Sequence, residues 1–150
     1  MAVCTFFGHR DCPEEIRGEL RQAVIDLIVN RNVDRFYLGN QGSFDSMVHS
    51  VLRELKGAYP QIEYTVVLAY FPEKPMENWA ETMLPEGIET VPRRFAISWR
   101  NRWMLENADF VVAFVTHDWG GAAKYAALAE KRGKSIHYLG SGLCDFHKNR

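Results

Sequence analysis

Three short stretches of the 150-residue chain gather residues that could do chemistry: Gly8-His9-Arg10-Asp11, the Gly39-x-x-Gly42-x-x-Asp45 turn, and residues 116–121, which end in Gly120-Gly121. Glycine removes the Cβ that would hold backbone N–H groups off a phosphate, and a glycine turn that opens a helix adds the positive end of the helix dipole. A single glycine pair is more often ordinary turn geometry, because such short motifs have high false-positive rates, whereas two on one sheet edge favour anion binding. Neither pair is G-x-G-x-x-G, so a dinucleotide fingerprint is absent and a dehydrogenase is unsupported. Asp45 has two readings that stand level. It suits a helix N-terminus electrostatically, and it could equally accept hydrogen bonds from ribose hydroxyls or a base.

Arg93, Arg94, Arg100 and Arg102 fall within ten residues, with no acid between Glu89 and Glu106. Most arginines on a helix are solvated, yet planar bidentate donors at this density suit phosphate or carboxylate. His9-x-x-Cys12 and Cys144-x-x-His147 have a spacing seen in zinc sites. They follow different strands and neither has a C-x-x-C partner, so no metal site is predicted. Ser43, Ser98 and Ser141 lack nucleophile-elbow context, and no catalytic triad is placed.

These residues need elements to position them. Residues 110–115 form a short unbroken apolar run, the pattern of a strand buried on both faces. Gly120-Gly121 then opens an alanine-rich helix that ends in Glu130-Lys131-Arg132 before Gly133, and residues 135–139 read as the next strand, completing a βαβ unit. Residues 3–7 read as a first buried strand running straight into Gly8. Pro13 suits a first helical position, and Ile16, Leu20, Val24, Leu27 and Ile28 recur on one helical face. Residues 35–38 form a second strand, after which Ser43 is a plausible N-cap for a helix marked by Phe44, Val48, Val51, Leu52 and Leu55. Residues 62–70 read as a third strand. Over residues 71–92 Pro72, Pro75, Pro85 and Pro92 interrupt any regular element; a connection this long suggests a lid or side wall, with a short helix near 78–83. Residues 93–107 form a helix on which Phe95, Trp99 and Trp103, spaced by four, are expected to be core rather than ligand box.

Strands alternating with helices predict one α/β domain. Its architecture is a Rossmann-like, doubly wound, mostly parallel five-stranded sheet with helices on both faces. Ligands of such sheets bind beyond the carboxyl ends of the strands where chain order reverses, and the three polar turns fall there. Composition agrees, with 47% hydrophobic and 25% charged residues and a formal net charge of -1, which gives no global attraction to nucleic acid or an anionic membrane. The start lacks signal-peptide character, no apolar run approaches the ~20 residues of a spanning helix, and Cys4, Cys12 and Cys144 lack framework spacing. A soluble cytoplasmic protein is expected.

Phe6-Phe-Gly-His-Arg10, Gly39-x-x-Gly42-x-x-Asp45, and Arg100-x-x-x-Met104-x-x-x-Ala108-Asp109 before a strand and Gly120-Gly121 together resemble the SLOG superfamily. That superfamily joins the DNA-processing protein Smf/DprA to the lonely-guy, lysine-decarboxylase-like proteins; the likeness is greatest to its small bacterial members with a G-H-R turn. The resemblance spans nearly the whole chain. It implies a nucleotide or nucleotide-derived ligand, with Gly120-Gly121 at the phosphate and Arg100 matching the arginine of the lonely-guy R-K-x-x-M segment. The departures are informative. Lonely-guy enzymes carry P-G-G-x-G-T-x-x-E, whereas this chain has Ala127 where the catalytic glutamate would stand, and a methyl group cannot act as general acid or base.

The first expectation is therefore a sensor or regulatory domain that binds a ligand such as AMP, ADP-ribose, NAD or a related nucleotide, with no required cofactor. Gly8, His9, Arg10, Gly39, Gly42, Asp45, Arg100, Gly120 and Gly121 would surround it. The alternative is an enzyme acting at a nucleotide N-glycosidic bond, with Asp45 or a carboxylate of the long segment, Glu73, Glu77 or Glu81, replacing the missing glutamate. Nucleic-acid binding by the arginine cluster is the least favoured reading. A homo-oligomer is also expected, its interface on the 93–107 helix, since Phe95, Trp99 and Trp103, with Trp79 and Met83, offer more aromatic surface than one helix on a small sheet needs.

Overall fold

A computed structural model describes residues 2–73 and 79–140. Pro75, Glu77, Ser141, Cys144 and His147 lie outside the described residues, as does the side chain of Trp79. The elements in chain order are β1 (Ala2–Gly8), α1 (Ile16–Arg31), β2 (Val33–Leu38), α2 (Ser43–Ala58), β3 (Glu63–Val67), β4 (Thr82–Met83), α3 (Arg93–Glu106), β5 (Phe110–Phe114), α4 (Gly120–Lys131) and β6 (Ser135–Tyr138). Among the described residues the sheet has the order β4-β3-β2-β1-β5-β6, and every pairing is parallel. The fold is thus the expected Rossmann-like α/β arrangement, with chain order reversing beside β1.

The two central strands earn their place by composition. Cys4 to Phe7 on β1 and Val111 to Phe114 on β5 are buried without alternation, as a strand covered on both faces requires. Thr5 is the polar exception, and its hydroxyl donates to the Tyr37 carbonyl at 2.9 Å. Helix α1 packs on α2 and α3 on α4, and right-handed crossovers running outward in opposite directions from β1 put the two pairs on opposite faces. Helix α1 begins three residues later than Pro13 suggests: Ile16 N–H donates to the Pro13 carbonyl at 3.2 Å, so residues 13–15 are a turn leading into the helix. Asn32 closes it in the left-handed region at φ 56°, a conformation its short polar side chain tolerates.

The sheet has six strands where five were expected. The extra one, β4, lies in the proline-rich segment and pairs Val66 with Thr82 and Val67 with Met83. The short helix expected near 78–83 is a single 3-10 turn at Trp79–Glu81 that runs directly into β4, because prolines on both sides leave too little chain to nucleate an α-helix.

Helix α3 differs more. Its buried face is Ala96, Arg100, Met104 and Leu105 rather than the aromatic stripe. Trp103 packs edge-on against Tyr37 at 5.1 Å, Trp99 joins Ala69, Ile88 and Ala96 in a small second cluster, and Phe95 is 52% exposed. An arginine at the centre of the buried face disguises the true helical period. Buried Tyr125 pins α3 to α4, its hydroxyl bonding both the Ser98 hydroxyl and, at 2.9 Å, the Ser98 carbonyl.

Candidate functional site

At the carboxyl end of β1, Gly8 leads into a loop that is stitched to the start of α2. The Arg10 carbonyl accepts from Ser43 N–H at 2.8 Å and from the Ser43 hydroxyl at 2.6 Å, while Cys12 N–H donates to Ser43 Oγ at 2.7 Å. Ser43 is therefore the first helical residue and a cross-link between two loops rather than an N-cap; Gly42, at φ 94°, holds the cap position. The capping reading was local, and a contact from residues 10 and 12 displaces it.

Between these loops, α3 and the start of α4 lies a cleft of about 460 Å³. It is lined by Gly8, His9, Arg10, Asp45, Arg100, Gly120 and Gly121, together with Asp11, Gln41, Ile97, Asn101 and His117. Gly39 and Gly42 stand behind this wall. A Cβ on Gly39 would lie 2.9 Å from Asp45 Oδ2 and 3.1 Å from Arg100 Nη1, and one on Gly42 would lie 2.6 Å from the Arg10 Cα. Their missing side chains make room for the cleft's functional groups. At Gly8 the constraint is again packing, since a Cβ would meet the Phe44 ring at 2.2 Å.

Arg100 is 2% exposed. Its Nη1 donates to the Val67 carbonyl at 2.8 Å and its Nε to Asn101 Oδ1 at 2.9 Å, but Nη2 makes no hydrogen bond among the described residues. Burial lowers its pKa, opposed by the charge of Asp45, yet a guanidinium stays charged in proteins. Asp45 accepts from Gln41 N–H at 2.8 Å. Burial pushes its carboxyl up to about 6, and the Gln41 hydrogen bond and the charges of Arg100 and Arg10 limit the rise. The first turn of α4 meets the cleft without a side-chain cap, which brings its unpaired N–H groups and the positive end of its dipole to the cleft wall.

A ladder of rings starts at the cleft wall with His9 and His117 and continues to Trp119, which is not part of the lining. His9 stacks on His117 and His117 on Trp119, each at a centroid distance of 3.6 Å. His9 Nε2 accepts from Thr116 N–H at 2.9 Å, which fixes the neutral tautomer, and burial followed by the His117 charge lowers its pKa. His117 Nδ1 donates to the Trp119 carbonyl at 3.0 Å. Trp119 is 67% exposed. The sequence reading missed His117 and Trp119; the available signal was a histidine and a tryptophan beside a glycine pair at a strand end.

The remaining candidates lie elsewhere. Ala127 is on α4 away from the cleft wall. Glu81 bonds Tyr64 on β3 and, at 3.3 Å, His49, and is not among the cleft-lining residues, and Glu73 is exposed in a loop. Arg93 stacks over Tyr70 at 3.8 Å and Arg94 over Phe95 at 4.7 Å, while Arg102 is exposed, so the arginine cluster does not act as one group. Cys12 is buried with its thiol raised to about 11, and among the described residues no group of three or more metal-ligating side chains forms. No described helix is long and apolar enough to cross a membrane.

Fold and cleft together define a doubly wound α/β protein with a polar cleft at its switch point. No family model matches the chain, and no curated protein matches it. Among solved structures it is similar to the X-ray structure of DNA processing protein A (DprA) from Streptococcus pneumoniae, with a TM-score of 0.64 and 13% sequence identity. The likeness covers 92% of this chain and 50% of that one, so the chain spans half the length of DprA. At this identity the relation is one of fold. It agrees with the DprA side of the resemblance and does not reach the small G-H-R members.

Proposed function

We propose that the cleft binds a nucleotide or nucleotide-derived small molecule, and that the domain acts as a sensor or regulatory module. The observation that carries this reading is Arg100, a buried guanidinium with one nitrogen left without a partner among the described residues, on the wall of a cleft that also receives the bare N-terminus of α4. A charge buried in this way needs a counter-charge. Asp45 stands nearby and its charge favours the guanidinium, but among the described residues the two make no ion pair within 4 Å. A phosphate would supply the missing charge to both Arg100 and the helix. A thermal-shift panel of AMP, ADP-ribose, NAD and cyclic nucleotides tests the reading: stabilisation by at least one is expected, and no shift from any of them rejects it.

Asp45 favours a second reading, hydrolysis or transfer at a nucleotide N-glycosidic bond. A carboxyl with a pKa near 6 exchanges its proton close to neutrality and, ionised, could stabilise developing positive charge on a sugar. Incubation with nucleoside monophosphates and chromatography for free base is the test. Free base whose release survives Asp45→Asn at full rate keeps the reaction and removes Asp45 from it. Single-strand binding by the arginines is less favoured because those side chains are divided between separate contacts; tight binding that survives moderate salt would reverse that order. Phe95 and the half-buried Trp99 support a homo-oligomer formed through α3. Light scattering that gives a 17.3 kDa particle at micromolar concentration would end that proposal.

A further inference from the structure

We propose that Trp119 is a stacking platform for a planar heteroaromatic ring on the ligand, which makes the nucleobase, and not the phosphate alone, a recognised part of it. This rests on the anion-binding reading of the cleft. One indole face is covered at 3.6 Å by His117, which lines the cleft, yet Trp119 is 67% exposed, so the rest of the ring is open to solvent beside the cleft. Such exposure of a large apolar ring has an unfavourable solvation cost. The ring is also held rather than loose. His9 is fixed by the Thr116 N–H, His117 stacks on His9 and donates to the Trp119 carbonyl, and Trp119 directly precedes the first residue of α4. Three rings already stacked at van der Waals spacing form a pre-organised site for a fourth, and little ordering entropy remains to be lost when it arrives. Position completes the case: the platform lies one residue from the helix N-terminus that would hold a phosphate. A mononucleotide and a nucleotide within a single strand share this ring-plus-phosphate chemistry.

Calorimetric titration of the full chain with AMP, ribose 5-phosphate and a short oligodeoxyadenylate separates the possibilities. The wild-type protein should bind AMP more tightly than ribose 5-phosphate. Trp119→Ala should weaken AMP about tenfold while leaving ribose 5-phosphate within about twofold, and Trp119→Phe should retain most of the AMP affinity, as base–aromatic stacking requires. An oligomer that binds far more tightly than AMP and suffers the same loss places the ring in a strand, and supports the platform equally. Equal weakening of AMP and ribose 5-phosphate, or no weakening of either, overturns the platform while the anion site survives. Failure of the wild-type protein to bind any of the three overturns the anion site and the platform with it.

Discussion

The turn at Gly39 and Gly42 and the turn at Gly120 and Gly121 follow parallel strands at the same sheet edge, but the space around them differs. A Cβ at the first pair would collide with Asp45, Arg100 and Arg10 at 2.6 to 3.1 Å, whereas at the second pair the nearest atoms lie 4.0 Å away, on His117 and Asn101. In the first turn the missing side chain is filled by the protein itself, which uses it to seat its charged groups. In the second it is left open towards the cleft. A glycine-rich turn can therefore build a binding site from behind or from in front, and residue type alone does not say which.

The sharpest way to break this contrast is Gly42→Ala. Both the φ of 94° and the approach to the Arg10 backbone oppose a methyl group, so we expect a loss of about 4 kcal/mol in a urea-unfolding measurement. A loss below about 1 kcal/mol would show that the loop yields freely.

Asp45 gives the next largest effect. Its folded pKa of about 6 exceeds the ordinary 3.8, so between these values the folded state binds more protons than the unfolded state. Stability from this group is complete below the lower value and is lost as pH rises through about 6, by at most about 3 kcal/mol. Asp45→Asn should remove that slope, measured as the difference in unfolding free energy between the two proteins across the window. His9, whose lowered pKa tilts stability the opposite way, is common to both and cancels.

Arg100→Met keeps the volume of the buried side chain and removes its charge. It should weaken ribose 5-phosphate binding by about 2 kcal/mol, read by calorimetry; undiminished binding would move the phosphate off this residue. The smallest effect should come from Gly121→Ala. With no atom nearer than 4.0 Å to the added methyl and alanine the better helix former, stability should rise by about 0.5 kcal/mol, while a narrower cleft lowers phosphate affinity several-fold. A stability loss there as large as at Gly42 would erase the distinction between the two turns.

The sheet was legible because its central strands are unbroken apolar runs and its helices on the α1/α2 face keep a clean period. Legibility failed where a residue's partners are distant in sequence. Ser43 has the right type and place for a cap, but its hydroxyl is taken by the loop at Arg10 and Cys12. The aromatic stripe on α3 has a helical period, yet the buried face turns on an arginine, which no hydrophobic pattern would select. The cleft residues Gly8, His9, Arg10, Asp45, Gly120 and Gly121 are legible because they follow strand ends, and Arg100 through the arginine cluster and its match to the R-K-x-x-M segment, whereas the ring ladder needs three-dimensional stacking that spacing cannot express.

The position of β1 also shapes how the chain reaches its fold. Its partner on one side, β2, follows within the same βαβ unit, but on the other side Cys4 pairs with Phe110 and Phe7 with Ala113. That closure spans most of the chain and belongs to the slow, high-contact-order class of folding steps. During synthesis the strands up to β3 emerge while the far edge of β1 is still unpaired, a row of free backbone groups on an apolar strand that invites pairing with another chain. Only when β5 arrives is that edge satisfied. Because β5 also leads into His117, Trp119 and α4, the cleft and the protection of the nascent sheet are completed in the same event.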